Sequence, residues 1–516
     1  MITNRQMSNA MACFDFIVDS QAATHRVAHW LRPLLSGHGF ISLVGDLGVG
    51  KTEFARAFVR AYCGDIIVPS PSFTLVQPYE SGDVRLLHAD LYRLAEASEI
   101  YELGLIEAMD DHICLIEWAD KADGLLPKAD VIVRFDMVAG RDHQRHIEIS
   151  SEDETLLAAL RAAYQRDQQV EKFLVTHDWL PTQAQRQPLA GDASTRRYDR
   201  LTKTDGHSAV LMDWQSGPDG AADYDGQAYS QVVHLAEATP AYCRMNQWLE
   251  AHDLRVPQIL ASDEGAGFVL LEDLGDMTLA AFDKAGDATR KPIVYAEAIE
   301  TLLHLHAQPA ADFLAVYNGS VQAIETSLFL DWYLPWRGIS VTPSARQAWM
   351  NLWQNLGDSL LEAPKVSVLR DFHSVNMLWQ PQAQGRYRLG LIDVQDALAG
   401  HAAYDLVSLL QDARIDVSPQ QVAHSYQNYT DASFTDAADK QAFSRSYAIS
   451  GAQRSLKIAG IFVRLAQRDA KPNYLDHLPR IIGYIQHNLA HPALDDIAAW
   501  LEAEAPMSLQ MPFGDT

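Results

Sequence analysis

The sequence predicts two domains of different class on one chain, an α/β domain over residues 1–165 and a helix-rich α+β domain over 170–516. Three observations predict this. Short apolar runs of strand length alternate with helical patterns through the first part, which is the signature of an α/β sheet. The punctuation changes near residue 165, where the acidic start of SEDETLLAALRAAYQRDQQ (151–169) opens a polar helical stretch. Beyond about 170 a hairpin-like region is followed by long amphipathic helices rich in Trp and Leu. A chain of 516 residues has room for two hydrophobic cores.

In order along the chain, FISLVGD (40–46) reads as a strand and KTEFARAFVRAYC (51–63) as a helix. VRLLHADLY (84–92) and HICLIEW (112–118) read as buried strands, and VIVRF and RHIEIS as late ones. The stretch 151–169 reads either as an interdomain connector or as the last helix of the first domain. In the second domain a hairpin is expected over 188–215 and helix over 227–252, followed by FVLLEDLGD (268–276) and a mostly helical remainder with amphipathic stretches at 294–306 and 402–412.

Composition excludes several classes. Hydrophobic residues are 48% and charged residues 21%, which rules out a disordered or collagen-like chain. The net charge of −26 argues against bulk electrostatic capture of nucleic acid or of an anionic membrane. Cys13, Cys63, Cys114 and Cys243 form no C-x-x-C pair and no metal spacing, so reduced, buried or half-buried thiols are expected. No apolar run reaches the roughly 18 residues of a membrane span, and MITNRQMSNAMACFDF lacks the apolar core of a signal peptide. A soluble, cytoplasmic protein with no membrane partner is expected.

The sharpest local signal is GDLGVGKT at 45–52, a full match to G-x-x-x-x-G-K-[ST] placed between a strand and a helix. Backbone N–H groups from Gly45, Asp46, Leu47, Gly48, Val49 and Gly50 would converge on phosphates, aided by the helix N-terminus. Lys51 would reach the β and γ phosphates of ATP, and the Thr52 hydroxyl would ligate Mg2+. Asp90 and Glu117 end apolar strands, and in open parallel sheets ligands bind at that edge.

With SPSFTLVQPY (70–79), HADLYRL (88–94), ELGL (102–105) and LIEWADK (115–121) in the same order, the first domain resembles TsaE. TsaE is the P-loop ATPase subunit of the tRNA threonylcarbamoyladenosine machinery. The resemblance covers about residues 11–165. It implies that Asp90 coordinates magnesium and that Glu117 activates water. It also implies partnership with the threonylcarbamoyl transferase and its pseudo-enzyme partner, with tRNA engaged only indirectly. Ser72 stands where the family usually has Thr, and the hydroxyl is retained. Trp118 reads either as a site neighbour or as packing. Arg134, Arg141, Arg145 and His146 read as a solvated face or as a tRNA or partner contact.

The second domain carries VLRDFHSVNMLW (368–379) and LGLIDVQDA (389–397), whose Asp393 stands 17 residues after Asn376. Phosphoryl transfer needs a carboxylate to accept the hydroxyl proton, and an amide and a second carboxylate to hold magnesium. Asp371, Asn376 and Asp393 stand in that order. A short hairpin between MLW and YRLGLI would fold Asp393 back beside Asn376. LAGDASTRRYDRL (189–201) would supply a lid over the phosphates, and FVLLEDLGD a hinge offering the backbone of Glu272 and Leu274 to adenine. His373 reads as a structural hydrogen-bonding residue, and Asp405 as a brace for the catalytic loop.

These motifs resemble the aminoglycoside phosphotransferase and choline kinase superfamily, an α+β, two-lobed, protein-kinase-like fold. The resemblance runs over about 170–505. With GDAST-RRY, VPQIL-ASDEG and LLEDLGD added, the nearest branch is the kinases of the anomeric hydroxyl of N-acetylmuramate and N-acetylglucosamine in cell-wall recycling. It implies ATP, Mg2+ and an amino-sugar acceptor. One departure stands out: Met212 occupies the expected place of the ATP-pairing lysine, and Arg196 or Arg197 would have to supply the charge. FLDWYLPW (329–336) reads as core packing or as a wall of the acceptor pocket. Two rival functions for this domain are a choline or aminoglycoside kinase and a pseudokinase that scaffolds the ATPase.

Overall fold

The computed structural model describes residues 12–35, 37–64, 66–82, 84–180, 184–189, 196–218, 224 and 226–510. The chain divides into two compact units, Met1–Arg186 and Gln187–Thr516. The residues 1–11 read for a signal sequence, and the lid turn at 190–195, lie outside the described residues.

The first unit is built on a seven-stranded mixed sheet. Its strands are β1 (Ala12–Val18), β2 (Gly39–Val44), β3 (Val76–Ser81), β4 (Val84–Asp90), β5 (Ile113–Glu117), β6 (Val131–Val138) and β7 (Arg141–Ser151), in the order β1-β7-β6-β2-β5-β4-β3. Parallel pairing joins β6, β2, β5 and β4. All five residues of β5 are buried, as expected of a central strand covered on both faces. Ile41, Leu43, Val133 and Ile149 face Phe54 and Phe58 on one side, while Phe40, Ala89, Cys114 and Ile116 pack on the other. Helix α1 (Gln21–Leu31) starts at Ser20, whose side chain accepts from the Ala23 N–H, and α2 (Lys51–Cys63) follows β2 directly. A single turn, α3 (Leu105–Ala108), precedes β5.

Helix α4 (Glu154–Thr176) settles the reading of 151–169. It is capped by the Asp153 carboxylate, buries Leu156, Leu157, Leu160, Val170 and Phe173, and runs unbroken through the expected junction at 165–170. The boundary between the two units therefore falls later, at Arg186/Gln187.

From the boundary onward runs a five-stranded antiparallel sheet of β8 (Ala184–Pro188), which crosses the boundary itself, β9 (Arg197–Lys203), β10 (Ser208–Asp213), β11 (Ile259–Asp263) and β12 (Phe268–Glu272), ordered β11-β12-β10-β9-β8. The helix Thr239–Ala251 packs on it through Tyr242, Met245 and Leu249. A helical lobe follows, with two small two-stranded sheets at the site: β13 (Val366–Val368) with β16 (Leu398–Gly400), and β14 (Met377–Trp379) with β15 (Leu389–Leu391). The lobe is organised around the long helix Ala437–Arg468. Gly460 of that helix abuts the end of the helix Gly319–Leu328 so closely that an added Cβ would lie 2.3 Å from the Leu328 carbonyl. Phe329, Tyr333 and Leu334 are buried against Trp349 in the core of this lobe, and Asp331 pairs with Arg346. The segment 329–336 is therefore packing and contributes nothing to the cavity described below.

Among the described residues, no helix is long and apolar enough to cross a membrane. All four cysteines are free. Cys114 and Cys243 are buried and Cys63 is half-buried, but Cys13 is exposed, contrary to the sequence expectation.

Candidate active sites

In the first unit the loop between β2 and α2 is held open by three left-handed glycines, with φ of 144° at Gly45, 78° at Gly48 and 118° at Gly50. Gly45 is constrained twice, because a Cβ there would also meet the Phe135 carbonyl at 2.4 Å. Lys51 Nζ folds back to donate to the carbonyl oxygens of Gly45 (2.6 Å) and Asp46 (2.8 Å) and stands 4.1 Å over the Trp118 ring. Burial pulls its pKa below the ordinary lysine value, against the opposing pull of Glu117, Asp90, Asp46 and Asp120. Asp90 and Glu117 are register partners at the ends of β4 and β5, both buried. Thr52 Oγ1 donates to Glu117 Oε2 at 2.9 Å, and His88 Nε2 lies 3.0 Å from Glu117 Oε1. The Glu117 carboxylate is thus bracketed by two side chains.

The second unit contains a cavity of about 940 Å3 lined by Asp371, Asn376, Asp393, Glu272 and Leu274 together. That volume falls in the range of small-molecule and cofactor sites. The hairpin β14–β15 pairs Met377 with Leu391, and the Ile392 N–H donates to the Asn376 carbonyl at 3.1 Å, which sets Asp393 beside Asn376. Asn376 Nδ2 donates to the Asp371 carbonyl at 3.0 Å. Two neighbours of this chemistry adopt the left-handed region that L-residues avoid, Arg370 at φ 67° and Asp393 at φ 60°. Buried carboxylates hold that backbone. Asp405 accepts from the N–H groups of Leu369 (2.8 Å) and Arg370 (3.0 Å), and Asp412 accepts from the Ser374 N–H (2.7 Å).

Burial works to raise the Asp371 pKa, but the His373 side chain, Lys457 and Arg370 outweigh it and hold the carboxyl below its ordinary range. Asp371 is therefore an acceptor at neutral pH. Behind it, Glu325 is fully buried and receives Arg370, Tyr317, Gln453 (2.8 Å) and Lys457 (3.4 Å). Arg196 Nη1 pairs with Asp393 Oδ1 at 2.8 Å, and Gln395 Nε2 donates to the same oxygen at 3.0 Å. Arg200 ties β9 to the hinge through Asp273 and Asp276.

Comparison with known proteins now bears on both units. The family model described as threonylcarbamoyl adenosine biosynthesis protein TsaE matches residues 18–147, and that of the phosphotransferase enzyme family matches residues 185–440. A tRNA threonylcarbamoyladenosine biosynthesis protein TsaE from Rickettsia bellii is 41% identical over 112 residues, 22% of this chain and 78% of that protein. An N-acetylmuramate/N-acetylglucosamine kinase from Caulobacter vibrioides is 35% identical over 341 residues, 62% of this chain and 92% of that protein. A kinase of the same name from Neisseria meningitidis is 34% identical over 306 residues, 58% of this chain and 83% of that protein. The chain belongs to both families. It joins a TsaE-type P-loop ATPase domain to a kinase-like, ATP-dependent phosphotransferase domain.

In the TsaE half, Lys51, Thr52, Asp90 and Glu117 gather at one sheet edge, while Ser72 bonds to Ser70 at 2.6 Å. His88 was missed, although it stands two residues before Asp90 and so shares its strand face. The basic cluster is engaged within the domain: Arg134 lies 3.8 Å from Glu148 and His146 pairs with Asp15 at 3.1 Å. Arg145 Nε donates to the Val49 carbonyl at 2.8 Å, so it braces the phosphate loop itself.

In the phosphotransferase half, Asp405 braces the catalytic loop as expected. Asp412 was missed; it lies just past the end of the helix Ala403–Leu410 that carries Asp405, where no periodicity marks it. His373 is buried, with Nε2 3.3 Å from Arg414 Nη1 and 3.7 Å from Asp371. Met212 is fully buried in the core, and Arg196, not Arg197, is the arginine that reaches Asp393. Of the hinge groups, the Glu272 N–H is taken by the Gln258 carbonyl (2.9 Å) and the Leu274 carbonyl by Gln380 Nε2 (2.8 Å).

Proposed function

We propose that the chain is bifunctional. Its TsaE half hydrolyses MgATP in support of tRNA threonylcarbamoyladenosine modification. Its phosphotransferase half phosphorylates the anomeric hydroxyl of N-acetylmuramate and N-acetylglucosamine in cell-wall recycling. The observation that carries the kinase reading is the convergence of Asp371, Asn376 and Asp393 on one cavity with the hinge residues.

In the kinase half the ionised Asp371 accepts a hydrogen bond from the sugar hydroxyl and orients its oxygen toward the γ-phosphorus of ATP. As the new P–O bond forms and the bond to ADP breaks, the hydroxyl proton passes to Asp371. Asn376 and Asp393 supply oxygen ligands suited to Mg2+, which neutralises phosphate charge when bound. Arg196 provides the cation that the buried Met212 cannot. The Glu272 carbonyl and the Leu274 N–H remain as the hinge groups for adenine.

In the TsaE half, Lys51 and the loop N–H groups of 45–50 hold the β and γ phosphates. Thr52 and Asp90 would hold a magnesium ion, which would supply charge neutralisation at the phosphates, and Glu117, oriented by His88 and Thr52, would direct the attacking water. The relatives' name supports a role in threonylcarbamoyladenosine biosynthesis, and the partners in that role would be the threonylcarbamoyl transferase and its pseudo-enzyme partner. The net charge of −26 fits a tRNA role exercised through those partners.

The test is transfer of labelled γ-phosphate from ATP by the full chain to N-acetylmuramate, N-acetylglucosamine, choline and an aminoglycoside. Phosphorylation of the two amino sugars is expected. Transfer to choline or the aminoglycoside alone would overturn the recycling role, and no transfer at all would favour a pseudokinase scaffold.

A further inference from the structure

The cavity of the phosphotransferase half is unevenly charged. Away from the hinge, the long helix Ala437–Arg468 lines it with Arg454, Lys457, Ile458, Ile461, Phe462 and Leu465. These positions recur at three, four, seven, eight and eleven residues after the first and so form one helical face. An apolar floor with cations set into it suits a sugar ring that bears an anionic substituent.

The charge balance at this end is specific. Arg370, Arg414, Arg454, Lys457 and Arg464 line it, against Glu325 and the catalytic Asp371. Arg370 and Lys457 are both committed to Glu325. Arg454 differs from them. It is only 3% exposed, yet its side chain makes no hydrogen bond or ion pair among the described residues. An arginine buried to that degree is almost always paired, because removing its charge from water without a partner is costly. Further along the same helix, Arg464 Nε is buried without a hydrogen-bond partner, and its guanidinium stands 5.5 Å from the Tyr229 ring centroid.

We propose that Arg454 binds the carboxylate of an acidic acceptor sugar, with Arg464 adding to the positive field of the acceptor end. The half-site is complete except for its anion, and a planar guanidinium is the group best shaped to take a carboxylate through two parallel hydrogen bonds. The inference rests on the amino-sugar reading above and deepens it. Of the two acceptors, N-acetylmuramate carries a carboxylate and N-acetylglucosamine does not. Arg454 therefore distinguishes between them while Asp371 serves both.

The experiment compares steady-state kinetics of the full chain and its R454Q, R454K and R464Q variants on the two sugars. R454Q should raise the KM for N-acetylmuramate by about 10- to 100-fold, the value of a lost charge-assisted pair. Its kcat/KM for N-acetylglucosamine should stay within about twofold of the parent. R454K should recover part of the loss, and R464Q should show a smaller bias of the same sign. Should R454Q fail to fold, the R454K and R464Q biases decide the matter. Equal losses on both sugars, or no loss on N-acetylmuramate, would overturn the carboxylate site and leave the kinase reading standing. Failure of the parent chain to phosphorylate either sugar would instead overturn the amino-sugar reading, and this site with it.

Discussion

At the scale of single residues, the surroundings of Asp371 fix its state. Asp371 is kept ionised by His373, Lys457 and Arg370 against the desolvation of its cavity, the state that the proposed acceptance of a sugar hydroxyl requires. The same physics works in reverse at His401. Burial, reinforced by His306, pushes its pKa from 6.5 down to about 4, and its Nδ1 accepts the Ala403 N–H at 3.0 Å. Protonating Nδ1 would break that bond. The folded value lies below the unfolded one, so the unfolded chain takes up the proton first as pH falls. The stability this histidine contributes is complete above about 6.5 and is lost progressively toward 4. Chemical denaturation across that window should show falling stability, and H401N should flatten part of the slope. An unchanged slope in H401N would place the acid sensitivity elsewhere.

At the scale of elements, what the sequence disclosed was whatever is local. The phosphate loop is contiguous, and its helix begins at Lys51 as the motif requires. The β14–β15 hairpin was legible because its two short strands flank Asn376 and Asp393 in sequence. What was not legible is long-range. The brace from Arg145 to Val49 spans 96 residues, and the pair of Arg196 with Asp393 joins a strand edge to a distant turn. No periodicity encodes such contacts. The junction at Arg186/Gln187 is not legible for a related reason: polar residues on an amphipathic helix look like a linker until its buried face is seen, and α4 buries Leu156, Leu160 and Phe173. Gly460 gives a sharp test of element packing. In an isolated helix, Gly to Ala stabilises by about 1 kcal/mol. Here the added methyl meets the Leu328 backbone, so G460A should instead destabilise the phosphotransferase half by about 1–3 kcal/mol. Denaturant unfolding measures the sign directly, and a gain in stability would contradict the close approach of these two helices.

At the scale of the whole molecule, the two phosphate chemistries proposed for this chain draw on separate residues. Lys51, Thr52, Asp90 and Glu117 all belong to the unit ending at Arg186, whereas Asp371, Asn376, Asp393 and the hinge belong to the unit that follows. This separation makes the central claim testable in one protein. The most direct measurement follows both phosphorylated amino sugar and sugar-independent phosphate release from ATP in the full chain, in K51A and in D371N. D371N should lower sugar phosphorylation by about 100- to 10,000-fold, the usual worth of a general base, and leave sugar-independent phosphate release intact. K51A should do the reverse. Sugar phosphorylation that survives D371N, or that is lost in K51A, would contradict the account.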